Sequence, residues 1–189
     1  MSAAIDNCVT SLPLALVGFM GAGKSAIGRL LAARLAAAFV DCDLLIEQRH
    51  GDIAEIFATH GEQVFRRLER DVVCAALAAA VKRPSVISLG GGAVMSGDVR
   101  EALQRLPHVI WLTAPADVLW QRVRGHGSSR RPLVADEQAF RRLLEERSAL
   151  YASVATATVA NDGSATSASI ADAIACLVTD PTASAERRV

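Results

Sequence analysis

The chain has 189 residues, 51% of them hydrophobic and 21% charged, with 20 Lys and Arg set against 20 Asp and Glu. That length and apolar content suit one α/β domain with its own buried core and exclude global disorder. The balanced charge excludes the basic excess of a nucleic-acid binder, and no apolar run approaches the roughly 18 residues that span a bilayer.

Residues 1–11 carry no basic n-region and read as a flexible tail rather than a signal peptide. Residues 12–18 are a short apolar run closed by glycine, as in a buried strand. Residues 18–25 read GFMGAGKS, which satisfies G-x-x-x-x-G-K-[ST] between that strand and a helix over 25–37 with Ile27, Leu30, Leu31 and Leu35 at helical spacing. Gly18, Gly21 and Gly23 let main-chain N–H groups converge on a β-phosphate, and the helix dipole favours the same anion. Lys24 brings a point charge to the β- and γ-phosphates, and the Ser25 hydroxyl suits Mg²⁺. The choice of Lys is notable in a chain whose only other lysine is Lys82. A chance glycine-rich turn is the alternative, and the strand–helix context argues against it.

A second strand over 39–42 ends in acids. Strand alternation puts Asp41 and Asp43 on one face, aimed at the crevice, one to assist a metal and the other to meet an acceptor hydroxyl. The plainer reading is that Asp43 caps a helix. Helical segments fill 44–81, interrupted by Gly51 and Gly61. There Arg66 and Glu69 flank the stripe of Phe65, Leu68, Val72 and Ala76, and Arg66 can equally pair with Glu62 or Glu69 on a solvated face. A third strand, 85–89, ends in Ser88-Leu89 where a motor or switch would carry its metal-holding Asp. It runs into Gly90, Gly91 and Gly92, which allow a ligand to approach backbone or simply form a turn.

A helix over 97–106, a strand over 108–113 and a helix ending near Arg124 follow. The stretch 124–136 is polar and holds Arg124, Arg130 and Arg131. Such a loop can close over a nucleotide and bring charge to the transferring phosphoryl group, or be merely a solvated basic loop. In the helix over 137–151, Arg147 occupies the apolar stripe of Phe140, Leu143, Leu144 and Tyr151. An inward guanidinium needs an anion, either an internal carboxylate or a ligand's. A weak strand over 156–160 and a helix over 167–178 complete a single domain spanning 12–178, and 179–189 reads as a disordered tail. Alternating strands and helices imply a parallel sheet covered on both faces, with a ligand crevice at the strands' carboxyl ends. Cys8, Cys42, Cys74 and Cys176 form no C-x-x-C pair, and His50, His60, His108 and His126 have no ligand spacing. That argues against a zinc site or disulfide framework and fits a reducing, cytoplasmic setting.

In this order and at this spacing the motifs resemble the shikimate kinase family, over roughly residues 14–178. GFMGAGKSAIGRLLA is similar to the family's phosphate loop and VDCDLLIE to its D-x-D motif. GDIAEIFATHGEQVFRRLE is similar to the substrate-binding segment, SLGGGAV to the central glycine motif, RRPLV to the lid, and RSALYASVA to the motif with the second substrate arginine. The resemblance implies a P-loop kinase fold, a five-stranded parallel sheet of order 2-3-1-4-5, with ATP and shikimate bound at its carboxyl edge. It implies transfer of the ATP γ-phosphoryl to the 3-hydroxyl of shikimate, within aromatic amino acid biosynthesis. By the same resemblance Gly21, Ala22, Gly23, Lys24, Ser25 and Ala26 hold the ATP phosphates, with Ser25 on Mg²⁺ and Asp41 near the metal. Asp43 binds the ring hydroxyls, and Arg66, Gly91 and Arg147 bind shikimate, the two arginines clamping its carboxylate while Glu69 orients Arg66. Arg131 is the lid residue on the phosphates and Arg124 lies near adenine; Lys24, Asp43 and Arg131 form the catalytic set. Two departures stand out. Ala26 replaces the usual threonine, and Ala160-Asn161-Asp162-Gly163 lacks the usual adenine-side residues. The implied state is a cytoplasmic monomer without nucleic-acid or membrane partners. The rivals are a gluconate or nucleoside-monophosphate kinase, and a regulatory protein that binds ATP without transferring phosphate.

Overall fold

Leu14–Val17 has no polar side chain and forms β1, wholly buried in the middle of a five-stranded parallel sheet ordered β2-β3-β1-β4-β5. The computed structural model describes residues 12–125 and 136–179. The other strands are β2 (Ala38–Asp41), β3 (Ser85–Ser88), β4 (His108–Thr113) and β5 (Ala157–Ala160). The helices are α1 (Lys24–Arg34), α2 (Cys42–His50), α3 (Ile53–Ala80), α4 (Gly97–Gln104), α5 (Ala116–Gly125), α6 (Glu137–Val154) and α7 (Ser167–Thr179). A 3₁₀ turn covers Ala93–Met95. β3 is buried throughout, as a strand covered on both faces should be, whereas β5 at the sheet edge alternates between half-buried and exposed.

Crossover handedness places the helices. The connection from β1 through α1 to β2 runs one way across the sheet, and those to β3, β4 and β5 run the other way. Right-handed crossovers therefore put α1 on one face, where α7 packs against it, and α3, α4 and α6 on the opposite face. The direction reverses between β1 and β3, so the crevice opens beyond their carboxyl ends. The glycine-rich loop leaves β1 there, and Gly90, Gly91 and Gly92 leave β3.

The strand expected over 39–42 needs correction. β2 stops at Asp41, and Cys42 and Asp43 already belong to α2, so strand alternation does not relate the two aspartates. Asp41 has extended φ and ψ and caps the helix, its Oδ1 accepting from the N–H of Asp43 (3.1 Å) and of Leu44 (3.5 Å). The helix cap is thus Asp41, and α2 begins earlier than residue 44 because this carboxylate satisfies its first amides.

Gly51 closes α2, and Gly61 (φ 77°, ψ 169°) breaks α3, both as expected. The main core surrounds the sheet. A second apolar cluster of Ile46, Ile53, Ile56, Phe65 and Val72 joins α2 to α3, with Leu45, Phe57 and Leu68 at its margin. Among the described residues no helix is long and apolar enough to cross a membrane. The expected N-terminal tail, residues 180–189 of the expected C-terminal one and most of the arginine-rich loop, including Arg130 and Arg131, lie outside the described residues, whereas Thr179, expected in the tail, still belongs to α7.

Candidate active site

The loop after β1 delivers α1 with its first amides uncapped by any side chain. Gly23 at the N-cap sits in the left-handed region (φ 85°, ψ 14°), and no acidic residue occupies the first turn. A helix start without a side-chain cap, and the dipole behind it, favour an anion. Lys24 is buried, with Nζ donating to the carbonyls of Gly18 (2.7 Å) and Phe19 (3.0 Å), so its ammonium lies across the loop. Ser25 follows, half-buried, and Ala26 is exposed. Among the described residues no three His, Cys, Asp or Glu side chains cluster as a metal cage. Ser25 and Asp41 each carry a hard oxygen of the kind Mg²⁺ accepts, and Mg²⁺ usually completes its shell with phosphates and water.

Beside this loop lies a cavity whose polar wall is Asp43, Arg66, Glu69 and Arg147. Met20, Ile53, Phe57 and Phe65 form its apolar wall, and Gly92 completes the lining. Three elements converge here: α2 brings Asp43 in its first turn, α3 brings Arg66 and Glu69, and α6 brings Arg147. The glycines after β3 leave room for them. A Cβ on Gly90 would lie 2.6 Å from both Asp43 Oδ1 and Glu69 Oε1, and one on Gly92 would overlap an Arg66 terminal nitrogen at 2.0 Å.

The two arginines are held differently. Arg66 pairs with both candidate acids at once: one terminal nitrogen meets Glu69 Oε2 at 2.6 Å, while the other and Nε meet Glu62 Oε1 at 3.1 and 3.2 Å. Glu62 is exposed, but Glu69 is only 3% exposed, so that contact fixes the guanidinium firmly. Arg147 is 4% exposed. Its one hydrogen bond among the described residues is a long contact to the Gly91 carbonyl (3.4 Å), and Nε has no partner. Its guanidinium lies over the Phe19 ring, 5.5 Å from the centroid. Burial pushes its pKa below the usual arginine range, Tyr151 acts in the opposite sense, and the Arg66 charge lowers it further. The internal carboxylate that the sequence left open for Arg147 is therefore not found among the described residues.

Three residues of this region were not singled out from sequence. The Tyr151 hydroxyl donates to the same Gly91 carbonyl that Arg147 contacts; the one signal was a tyrosine where the stripe asked only for bulk. Arg122 and Asn161 clasp the phosphate loop from outside. Arg124 ends α5 exposed, stacked 5.9 Å over the Trp120 ring.

The family model for shikimate kinase matches residues 20–178. A shikimate kinase of Symbiobacterium thermophilum is 45% identical over 153 residues, which cover 79% of this chain and 86% of that one. One from Mycobacterium avium is 49% identical over 148 residues, covering 76% and 81% respectively. Among solved structures, the shikimate kinase from Acinetobacter baumannii in complex with shikimate is similar with a TM-score of 0.82 at 34% identity, covering 89% of this chain and 94% of that one.

Proposed function

Because the chain belongs to the shikimate kinase family, we propose that the loop after β1 takes the ATP phosphates and the cavity beside it, between α2, α3 and α6, takes the acceptor acid. The protein transfers a phosphoryl group from ATP to shikimate, a reaction of aromatic biosynthesis. The observation that carries the residue assignment is Arg147, a buried cation that has no carboxylate partner among the described residues and lines a cavity beside a second, firmly held arginine. Two planar forks suit one carboxylate well.

In this reading Arg66 and Arg147 take the shikimate carboxylate and Gly91 supports the ring. Asp43 orients the attacking 3-hydroxyl and accepts its proton. Lys24 shifts from the Gly18 and Phe19 carbonyls to the β- and γ-phosphates, while the amides of Gly21 to Ser25 hold the β-phosphate. Mg²⁺, when bound with ATP, neutralises the phosphate oxygens; Ser25 and Asp41 are the residues that would hold it. Arg131, outside the described residues, is assigned to the transferring phosphoryl group, and Arg124 to the adenine side. The exposed large apolar residues among those described, Leu30, Leu44, Val81 and Met95, are scattered along the chain; that supports a monomer, and the cysteine pattern supports a cytoplasmic site.

The direct test is ADP release from ATP with shikimate, quinate, gluconate or a nucleoside monophosphate as acceptor. Release that depends on shikimate is expected. Turnover on gluconate or a mononucleotide, with none on shikimate, would overturn the acceptor assignment and leave the phosphate loop intact.

Tyr151→Phe gives a finer result. Losing the bond to the Gly91 carbonyl frees the glycine loop but touches no ATP group, so KM for shikimate should rise severalfold, by roughly 1 kcal/mol of lost binding, with KM for ATP unchanged. Equal rises in both constants would remove the special role of this hydroxyl.

A further inference from the structure

Asn161 immediately follows β5, in a stretch where the next five residues are all exposed, yet it is itself only 6% exposed. Its main-chain N–H donates to the Thr113 carbonyl at 2.7 Å, which carries the β4–β5 ladder one residue further and fixes the side chain's origin. Its Nδ2 donates to the Ala22 carbonyl, inside the phosphate loop, at 2.9 Å. The amide orientation follows from its neighbours. Ala22 offers only an acceptor and Arg122 only donors, so Nδ2 must face the loop while Oδ1 faces the guanidinium at 3.5 Å. Arg122 also donates to the main-chain carbonyl of Asn161 (2.8 Å) and, more weakly, to that of Gly21 (3.4 Å).

We infer that Asn161, with Arg122 behind it, is a positioning residue for the phosphate loop, acting through the Ala22–Gly23 peptide. In a trans peptide the C=O and the following N–H point in opposite directions. Anchoring the Ala22 carbonyl outward on Asn161 therefore turns the Gly23 N–H inward, to the side where the loop receives its anion. The same contact explains why position 23 excludes a side chain, since a Cβ there would lie 2.6 Å from Asn161 Nδ2. This segment thus acts on the phosphates through the loop, a role separate from any contact with adenine. The inference rests on the reading of the loop as the ATP phosphate cradle.

The test compares ADP with AMP, because only ADP carries the β-phosphate that the loop would hold. Asn161→Asp keeps the shape but sets a carboxylate oxygen against the Ala22 carbonyl. Calorimetry should show the dissociation constant for ADP rising about tenfold or more, as expected when a buried carbonyl loses its donor. Those for AMP and shikimate should stay within about twofold, a pattern that general destabilisation does not produce. If Asn161→Asp does not fold, Arg122→Met is read in its place, and the same selective loss, smaller in size, is expected. Unchanged ADP affinity, or equal losses for ADP and AMP in a folded variant, would overturn the inference. A native protein that does not prefer ADP to AMP would instead overturn the cradle reading beneath it.

Discussion

Asp43→Asn should lower kcat by roughly 10²–10⁴-fold, the span associated with a group that orients or accepts a proton from the attacking atom. The side chain keeps its shape and one acceptor oxygen, so shikimate should still enter, but the charge proposed to receive the proton is gone. Asp43 lies in the first turn of α2, on the polar wall of the acid cavity and against Gly90. Asp41 makes the informative contrast. Its carboxylate caps α2, and asparagine caps a helix about as well as aspartate. Asp41→Asn should therefore leave the helix in place and remove only the charge, raising the Mg²⁺ concentration for half-maximal rate, with partial recovery at high metal. Paired Mg²⁺ titrations at saturating ATP and shikimate read both effects. Rescue of Asp43→Asn by excess metal, with Asp41→Asn unrescued, would reverse the two assignments.

Arg147→Met should separate binding from folding. Truncating a buried, charge-assisted contact costs roughly 2–5 kcal/mol, so shikimate affinity should fall by about 30-fold or more. Thermal stability should not fall with it. The free protein holds this guanidinium 4% exposed with an unpartnered Nε and a pKa lowered first by burial. Replacing such a group by an apolar chain of similar length removes a desolvation cost. Arg147→Lys keeps the charge but lacks the planar fork, and it too should bind shikimate weakly. Affinity for ADP should stay unchanged in both variants. A fall in Tm that parallels the loss of shikimate binding would make Arg147 a structural residue.

The sequence was most legible where spacing alone carries the signal. β4 runs over His108–Thr113 as expected between Pro107 and Pro115, and α2 and α3 break at the two glycines that interrupt the helical pattern. The inward position of Arg147 could be read because it interrupts an apolar stripe, and it is indeed buried between Phe140 and Tyr151. The strand order, by contrast, came from resemblance, since no periodicity states which strands are neighbours. The acids after β2 do not follow strand alternation, because Asp41 ends β2 and caps a helix that already includes Asp43. Arg66 shows another limit. Its spacing allows pairing with Glu62 or Glu69, and the guanidinium has enough donors to do both. Asn161 and Arg122 were missed because their partners are main-chain carbonyls far away in sequence, which leave no mark on the local pattern.

The division of the apolar interior has a consequence for how this enzyme can change. The sheet and its covering helices share one large core, and Ile46, Ile53, Ile56, Phe65 and Val72 form another, which with Phe57 at its margin supplies most of the apolar wall of the cavity between α2, α3 and α6, Met20 of the large core supplying the rest. Substitutions accumulate independently at sites that share no packing partners. Trimming or enlarging Phe65 or Ile53 therefore reshapes this cavity from the side of the small core, away from β1 and α1. Divergence toward a different acceptor can proceed in the small core while the machinery that handles the nucleotide is inherited intact.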